Sequence, residues 1–427
     1  MGRHLRAGVR SGAAGGVAAK RGAGRMKGKA AYVATVYSHL AVFHLPFMHD
    51  LRARGYEVHA YAAPDHCREE VEKDGFTCRD LPFSRSPLAI GNVKALFDLM
   101  KWLKRERYEF IHVHTPNASV VCRLAAALTG SGNVVYTAHG FHFYSGAPWR
   151  NWLLYYPMER MLSRLTDVLV TINREDYERA AAFPVRGKVV YVPGVGVDLA
   201  AYGSNIMPES GEFTSIQLKK ELGLQPDDFA ILCIAELNRN KNQQQLIEAV
   251  RELRSRSIPA VLLLAGTGEA EPEYRRLVAE LGLQQEVRFL GFRRDIPRLL
   301  QAADVLGLLS RREGLPKALL EGLAAGKPLV ATDVRGSRDL VTDGHNGYVV
   351  PVGDTGAADA FEKLYKDAEL RQLMGEYSRG LAAQYDLMSI RAEISKIYMS
   401  LGVQSYGHAL CEEPKVSAGA GERRGSI

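Results

Sequence analysis

Short apolar runs alternate with amphipathic stretches along most of this chain, and the alternation occurs twice. The first set of expected strands is 31–36, 57–61, 110–113, 134–137, 168–172 and 189–192, with helical patterns such as 93–107 and 152–165 between them. Strand and helix in alternation build βαβ units around a parallel sheet. Such a sheet is covered on both faces, so its strands are apolar throughout, as in DVLVTI at 167–172. The pattern pauses at about 198–221, where YGSNIMPESGEFTS is rich in Gly, Ser and Pro and reads as a connector. It resumes with expected strands at 229–235, 260–265, 287–290, 304–309, 329–332 and 348–350. The predicted class is therefore α/β, with two doubly wound, Rossmann-like domains facing across a cleft. The expected boundaries are a tail over 1–29, a first domain over 30–200, a linker over 201–220 and a second domain over 221–385. A helix over 386–403 could cross back to the first domain, and a tail over 404–427 ends the chain.

Composition agrees with this and removes several function classes. At 427 residues the chain is too long for one ordinary core. It carries a formal charge of +7, but residues 1–29 hold eight Lys and Arg and no acid, so the remainder is near neutral. The charge does not point to nucleic acid. The basic tail has no apolar core of useful length, so it is not a signal peptide, and Arg6 stands where myristoylation needs Ser or Thr. The five cysteines are scattered and form no CxxC pair, which suits a reducing compartment. No run of 18 apolar residues is present, so no membrane-spanning helix is expected.

Ligands of doubly wound domains bind beyond the carboxyl ends of the strands. One segment there brackets a helix start with two carboxylates: RREGLPKALLEGLAAGKPLVATD, residues 311–333. Glu313 falls in the loop after a strand. Leu315 or Pro316 opens a helix, since proline suits the first turn. Glu321 lies five residues past Pro316, roughly 7.5 Å along the helix axis. A helix N-terminus favours phosphate, and a carboxylate suits paired hydroxyls. One ligand could present a sugar to Glu313, a diphosphate to the helix start and ribose hydroxyls to Glu321. The plainer alternative makes Glu321 a solvated helix residue and Glu313 a loop acid that complements the dipole.

This segment, with AGKPLVAT at 325–332 and DGHNG at 343–347, resembles the donor-site signature of the family 4 glycosyltransferases, which have the two-domain GT-B fold. HVHTPNAS, TAHGFHF, NWLLYYPMER, INREDYERA and VPGVGVD in the first half are similar to the branch that builds bacterial capsule and exopolysaccharide. The likeness extends over about residues 30–400. It implies that the first domain binds an acceptor and the second a nucleotide-sugar donor. It also implies that Glu313 approaches the donor sugar, Glu321 holds the ribose, Lys241 neutralises the leaving diphosphate and His139 contacts the sugar near its anomeric carbon. Gly266, Thr267, Gly291, Phe292, Arg293, Gly314, Leu315 and Pro316 would lie along the donor. There is one departure: the family's phosphate-binding arginine is replaced by Glu236, whose charge would repel a diphosphate. Arg239 is the candidate substitute. The Gly-rich loop often found after the first strand is absent too. VYSHLAVFHLP replaces it, so Ser38, His39 and, nearby, His114 are candidates on the acceptor side.

The chain contains no Asp-x-Asp, the spacing expected of metal-held nucleotide sugars. The expectation is thus no metal and no cofactor, with a UDP-sugar as co-substrate and fixed positive groups stabilising the leaving group. The family implies retention at the anomeric centre, by front-face displacement or through Glu313 as nucleophile. His112, His114, His139 and His142 cluster in the sequence, but no Cys or carboxylate spacing supports zinc. The Gly-x-Gly pairs of PGVGVDL and AGTGEAE lack a third glycine, which leaves a dehydrogenase weakly supported. Trp149, Trp152, Tyr155, Tyr156 and Trp102 lie among Arg and Lys on amphipathic helices. That suits a membrane interface, with core-facing helices as the plainer alternative. The expected partners are a nucleotide-sugar donor, a lipid-linked saccharide acceptor and the inner leaflet, with no nucleic acid, for a cytoplasmic, peripheral enzyme. Two alternatives stay open: a nucleotide-sugar epimerase of the same fold, and a non-catalytic sugar-binding or assembly protein.

Overall fold

The computed structural model describes residues 28–402 except 85, 87, 88, 204–214, 354 and 355. The first sheet has seven strands: β1 (Gly28–Val36), β2 (Tyr56–Ala63), β3 (Thr77–Asp80), β4 (Phe110–His114), β5 (Asn133–Ala138), β6 (Val168–Thr171) and β7 (Lys188–Tyr191). Their spatial order is β3-β2-β1-β4-β5-β6-β7. The second has six: β8 (Phe229–Ile234), β9 (Ala260–Ala265), β10 (Val287–Gly291), β11 (Val305–Leu308), β12 (Leu329–Thr332) and β13 (Gly347–Val350), in the order β10-β9-β8-β11-β12-β13. All strand pairs are parallel. The strand order reverses between β1 and β4 in one sheet and between β8 and β11 in the other. Each reversal opens a crevice at the carboxyl edge.

Side chains of a strand alternate between faces, and both faces are buried here. Along β1, Ala30, Tyr32 and Ala34 join one core and Ala31 and Val33 the other. The second sheet divides in the same way: Ile231 and Cys233 on one face, Ala230 and Leu232 on the other. The helices Ile90–Glu106, Pro116–Thr129 and Trp149–Leu162 follow one another on one side of the first sheet.

Four departures from the sequence expectation bear on the architecture. β3 was not foreseen, because TCRD is a polar edge strand with half its residues exposed. Gly28 and Lys29, assigned to the tail, belong to β1, and the Lys29 ammonium meets Glu106 at 2.6 Å. The helix Ser215–Glu221 falls inside the expected linker but packs on the second domain. Lys219 pairs with Asp304 at 3.1 Å and Glu221 with Arg298 at 2.9 Å. Last, the helix carrying Glu321 begins at Lys317, with Pro316 extended as its N-cap. Residues 1–27, 204–214 and 403–427, which hold the rest of the first expected tail, the second tail and most of the linker, lie outside the described residues.

The chain passes between the domains twice. Val197 on the first passage pairs with Asp386 on the second; Val197 N–H donates to the Tyr385 carbonyl at 2.9 Å, and Leu387 N–H to the Val197 carbonyl at 3.0 Å. Gly196, at φ +79°, allows this approach, since a Cβ there would stand 2.8 Å from Leu387 Cα. The helix Leu387–Ser400 then packs on the first domain. Ile390, Ile394, Ile397 and Tyr398 enter its core, and the Tyr398 hydroxyl bonds to His112 Nδ1 at 2.7 Å.

Candidate active site

Both crevices open into one cleft. In the second domain, β8 and β11 are neighbours, and the loops beyond them carry Lys241 and Glu313. The two side chains meet there, Nζ to Oε1 at 2.6 Å, with Glu313 almost fully buried and Lys241 about one quarter exposed. Asn242, at φ +54°, and the Asn238 side chain, which accepts Lys241 N–H at 2.9 Å, shape the turn that aims the lysine. An unpaired carboxylate at Glu313's depth would be costly; the ammonium supplies the compensating charge. Glu321 lies on the adjoining helix Lys317–Ala324 and is likewise buried. Burial pushes its carboxyl above the usual range, opposed by Lys317, whose Nζ is 4.0 Å away, and by a hydrogen bond from Tyr202.

Glycines draw the walls together. A Cβ on Gly314 would lie 1.8 Å from the His139 carbonyl oxygen of the other domain, and one on Gly336 2.0 Å from the Gly314 carbonyl. Glu313 is therefore held beside His139 by a backbone contact that no other residue permits. Gly266, at φ +151°, brings the AGTGE loop against Ala235, whose carbonyl a Cβ would approach to 2.0 Å. Thr267 is exposed beside it, and its carbonyl accepts Leu237 N–H at 3.0 Å.

Arg335 ties this contact across the cleft. Its Nε donates to the Glu313 carbonyl at 3.1 Å, and its Nη1 to the Phe141 carbonyl at 2.8 Å and to Asp176 at 2.9 Å. Asp176 is fully buried and also accepts Phe141 N–H and the Asn173 amide. Burial raises its carboxyl, against the pull of Arg335. Nearby, Asp339 accepts Arg174 N–H at 2.9 Å, and Arg338 faces Glu175 at 3.4 Å. Sequence reasoning named neither Arg335 nor Asp176. Their 159-residue separation carries no periodic signal, although Asp176 lies inside INREDYERA and Arg335 two residues past the 311–333 segment.

On the first domain's side, His139 follows β5, His114 ends β4, and His39 follows β1. His39 meets His139 edge-on at 4.7 Å between ring centres, and His139 Nε2 stands 3.4 Å from His114 Nδ1. His44, which sequence reasoning passed over, stacks on His114 at 3.6 Å. Burial holds His39 at about 4 and His44, His114 and His139 well below the usual imidazole range. These rings are neutral. Thr115, next along, has φ +67°, and its hydroxyl accepts Thr35 N–H at 3.0 Å. A strained non-glycine residue at a switch point is a common mark of a working site. Ser38 presents its N–H to Asp65 at 2.9 Å.

Other expected residues stand apart from this group. The Arg239 side chain is 84% exposed and pairs with Glu273 at 3.4 Å, not with Lys241 or Glu313. Glu236 is exposed as well. Arg293 is paired with Asp295 through two bonds of 2.7 and 2.5 Å, and Phe292 is largely exposed. Leu315 approaches Gly194 of the first interdomain passage, and Pro316 is buried. The four histidines singled out in the sequence are not the set that converges. His142 instead stacks on Tyr155 at 4.6 Å, and His112 is taken up by Tyr398 and Thr137.

Residues 46–201 match the family described as Glycosyltransferase Family 4, and residues 215–381 match Glycosyl transferases group 1. The Bacillus subtilis protein EpsD, named as a glycosyltransferase, is 39% identical over 377 residues, which span 87% of this chain and 97% of EpsD. An Escherichia coli relative is named as a UDP-Gal:alpha-D-GlcNAc-diphosphoundecaprenol alpha-1,3-galactosyltransferase; it is 27% identical over 74% of this chain and 81% of its own. Among solved structures, Anabaena HepE in complex with UDP and glucose superposes with a TM-score of 0.72 at 20% identity, covering 87% of this chain and 99% of HepE. Two parallel sheets with their carboxyl edges facing are the GT-B architecture, and the chain belongs to the family 4 glycosyltransferases.

Proposed function

We propose that this glycosyltransferase moves a sugar, with retention, from a UDP-sugar to a lipid-linked saccharide in exopolysaccharide or capsule synthesis. The observation that carries the reading is the Lys241–Glu313 pair, at 2.6 Å beside a helix start and pressed by Gly314 against His139. Donor binding would divide that pair. Lys241 would turn to the diphosphate, where it and the N–H groups of the Lys317–Ala324 helix offset the leaving group's charge. Glu313 would accept hydroxyls of the sugar, and Glu321 those of the ribose. His139, neutral, would hydrogen-bond the sugar from the opposite wall. Gly266, Thr267, Arg293, Gly314, Leu315 and Pro316 line the donor in this reading, and Arg239 would have to leave Glu273 to reach phosphate. Ser38, His39 and His114 would face the acceptor. In this reading Glu313 is engaged with the sugar's hydroxyls and not with its anomeric carbon, which favours front-face displacement over a covalent intermediate. The carbohydrate named for HepE's complexes and the diphosphoundecaprenol acceptor named for the E. coli relative support the substrate classes.

The same reading places the protein on the inner leaflet. Ile90, Val93 and Phe97 on one helix and Trp149, Leu153, Leu154 and Met161 on another are exposed, among Lys94, Lys101, Arg150 and Arg160. Apolar residues ringed by basic ones suit an anionic bilayer surface. No helix among the described residues is long and apolar enough to cross a membrane.

Calorimetry with UDP, GDP, ADP and their sugar conjugates, in EDTA, tests the donor assignment. UDP and a UDP-sugar are expected to bind. Silence across the panel with folded protein would move the balance to a non-catalytic sugar-binding role, centred on Glu236. Turnover of a nucleotide sugar without any acceptor would favour the epimerase reading.

A further inference from the structure

His39, His44, His114 and His139 each bring a ring nitrogen into one cluster, with all four nitrogens within 4.8 Å of one another. The Nε2 atoms of His39, His44 and His114 are buried and have no hydrogen-bond partner. His44 and His114 are themselves at least nine-tenths buried. Buried polar atoms are nearly always satisfied, so three orphans in one cluster call for a ligand. We propose that these four histidines form a binding site for a single divalent transition-metal ion of the zinc class.

The chemistry of the cluster selects that class. Neutral imidazoles offer lone pairs without first losing a proton. An all-nitrogen set suits Zn²⁺, Cu²⁺ or Ni²⁺ and not Mg²⁺ or Ca²⁺, which demand oxygen. Bonds of about 2.0–2.1 Å in a tetrahedron place ligand nitrogens about 3.4 Å apart. The four nitrogens, within 4.8 Å of one another, would close in by rotation of the rings to reach that spacing. The stacked rings of His44 and His114, 3.6 Å between centres, would have to splay for both to face one ion. The ligands come from the helix Tyr37–Phe43, the residue after it, the end of β4 and the residue after β5. They thus span the reversal of the first sheet, on the opposite wall from Lys241. The site is separate from the diphosphate end of the donor. Because it recruits His139, an occupied site would withdraw that ring from the donor sugar and slow transfer. This consequence rests on the donor reading above; metal binding itself does not.

The untagged full chain, stripped with EDTA, would be titrated with Co²⁺ and then Zn²⁺. The expected result is one equivalent of Co²⁺ with the visible absorption of tetrahedral cobalt, displaced by Zn²⁺. His44→Asn and His39→Asn should each weaken binding by roughly 10–100-fold or more, since even loss of an outer-shell partner costs that much. His112→Gln should leave it in place. If His44→Asn fails to fold by circular dichroism, the partly exposed His39 carries the test. No binding at micromolar metal would overturn the proposal, as would binding that survives both ligand variants. Donor binding without metal binding would sink this inference and leave the proposed function standing.

Discussion

Replacing Arg335 with methionine would show what holds the cleft shut. The guanidinium donates to Asp176 at 2.9 Å, to the Phe141 carbonyl at 2.8 Å and to the Glu313 carbonyl at 3.1 Å. In the closed form the change leaves Asp176 buried with two neutral donors and no opposing charge. Removing one partner of a buried pair costs about 3–5 kcal/mol. Asp176 is on the first domain and Arg335 on the second, so opening the cleft readmits water to the carboxylate. The penalty thus falls on closure rather than on either fold. At tenfold per 1.4 kcal/mol, the closed population drops relative to the open one by about two to four orders of magnitude. Small-angle scattering should report a larger radius of gyration for Arg335→Met, with circular dichroism unchanged. Asp176→Leu should open the molecule too. The double variant should scatter more like wild type, because no buried charge remains to be hydrated. Identical scattering from wild type and both single variants would refute this account of the latch.

Three further outcomes follow from the geometry. Glu321→Ala should weaken nucleotide binding by roughly 10–150-fold, the equivalent of one hydrogen bond to a charged group, whereas Glu313→Ala should lower turnover by roughly 10²–10³-fold with little change in nucleotide affinity; calorimetry and steady-state rates separate the two, and wild-type behaviour in both would undo the donor assignment. In EDTA, acid should destabilise the fold, since burial holds His142 at about 4 and His112 at about 3, and the unfolded chain, titrating near 6.5, binds more protons below that pH. Stability present above pH 6.5 is then lost as pH falls toward 4, by up to about 1.4 kcal/mol per pH unit for each such histidine, and urea midpoints flat from pH 7 to 5 would contradict it. Phe97→Glu with Leu153→Glu should reduce sedimentation with anionic vesicles while sparing nucleotide binding, and unchanged sedimentation would place the membrane face elsewhere.

The strands were legible because parallel sheets bury both faces, so each β-strand is a bare apolar run between turns. AVLLLA and LVAT form β9 and β12 at the expected bounds. β3 escaped because an edge strand need not be apolar. The helix Ser215–Glu221 escaped because Gly, Ser and Pro just before it masked its onset. At the site, order along the chain placed Lys241, Glu313 and His139 beyond strand ends. It could not place Arg239, whose partner is decided by a turn and a neighbouring helix. Nor could it pair Arg335 with Asp176. A latch between domains depends on how two finished sheets face each other, and no local spacing encodes that. The histidines illustrate the same limit. His44 converges with His39, His114 and His139 only because the helix after β1 folds back over the edge of β4.

The returning helix has a consequence for synthesis. Ile390, Ile394, Ile397 and Tyr398 complete a core otherwise built from residues that end near Val192. A ribosome adding about 5–20 residues per second releases the first domain's sheet about 10–40 s before its final helix. During that interval the groove awaiting Leu387–Ser400 stands open, while the second domain, whose strands end at Val350, can already close. The domain begun first is thus the one finished last. A chain truncated before Leu387 would lack part of its first domain's core, and the nascent chain needs protection at a surface that the mature enzyme conceals.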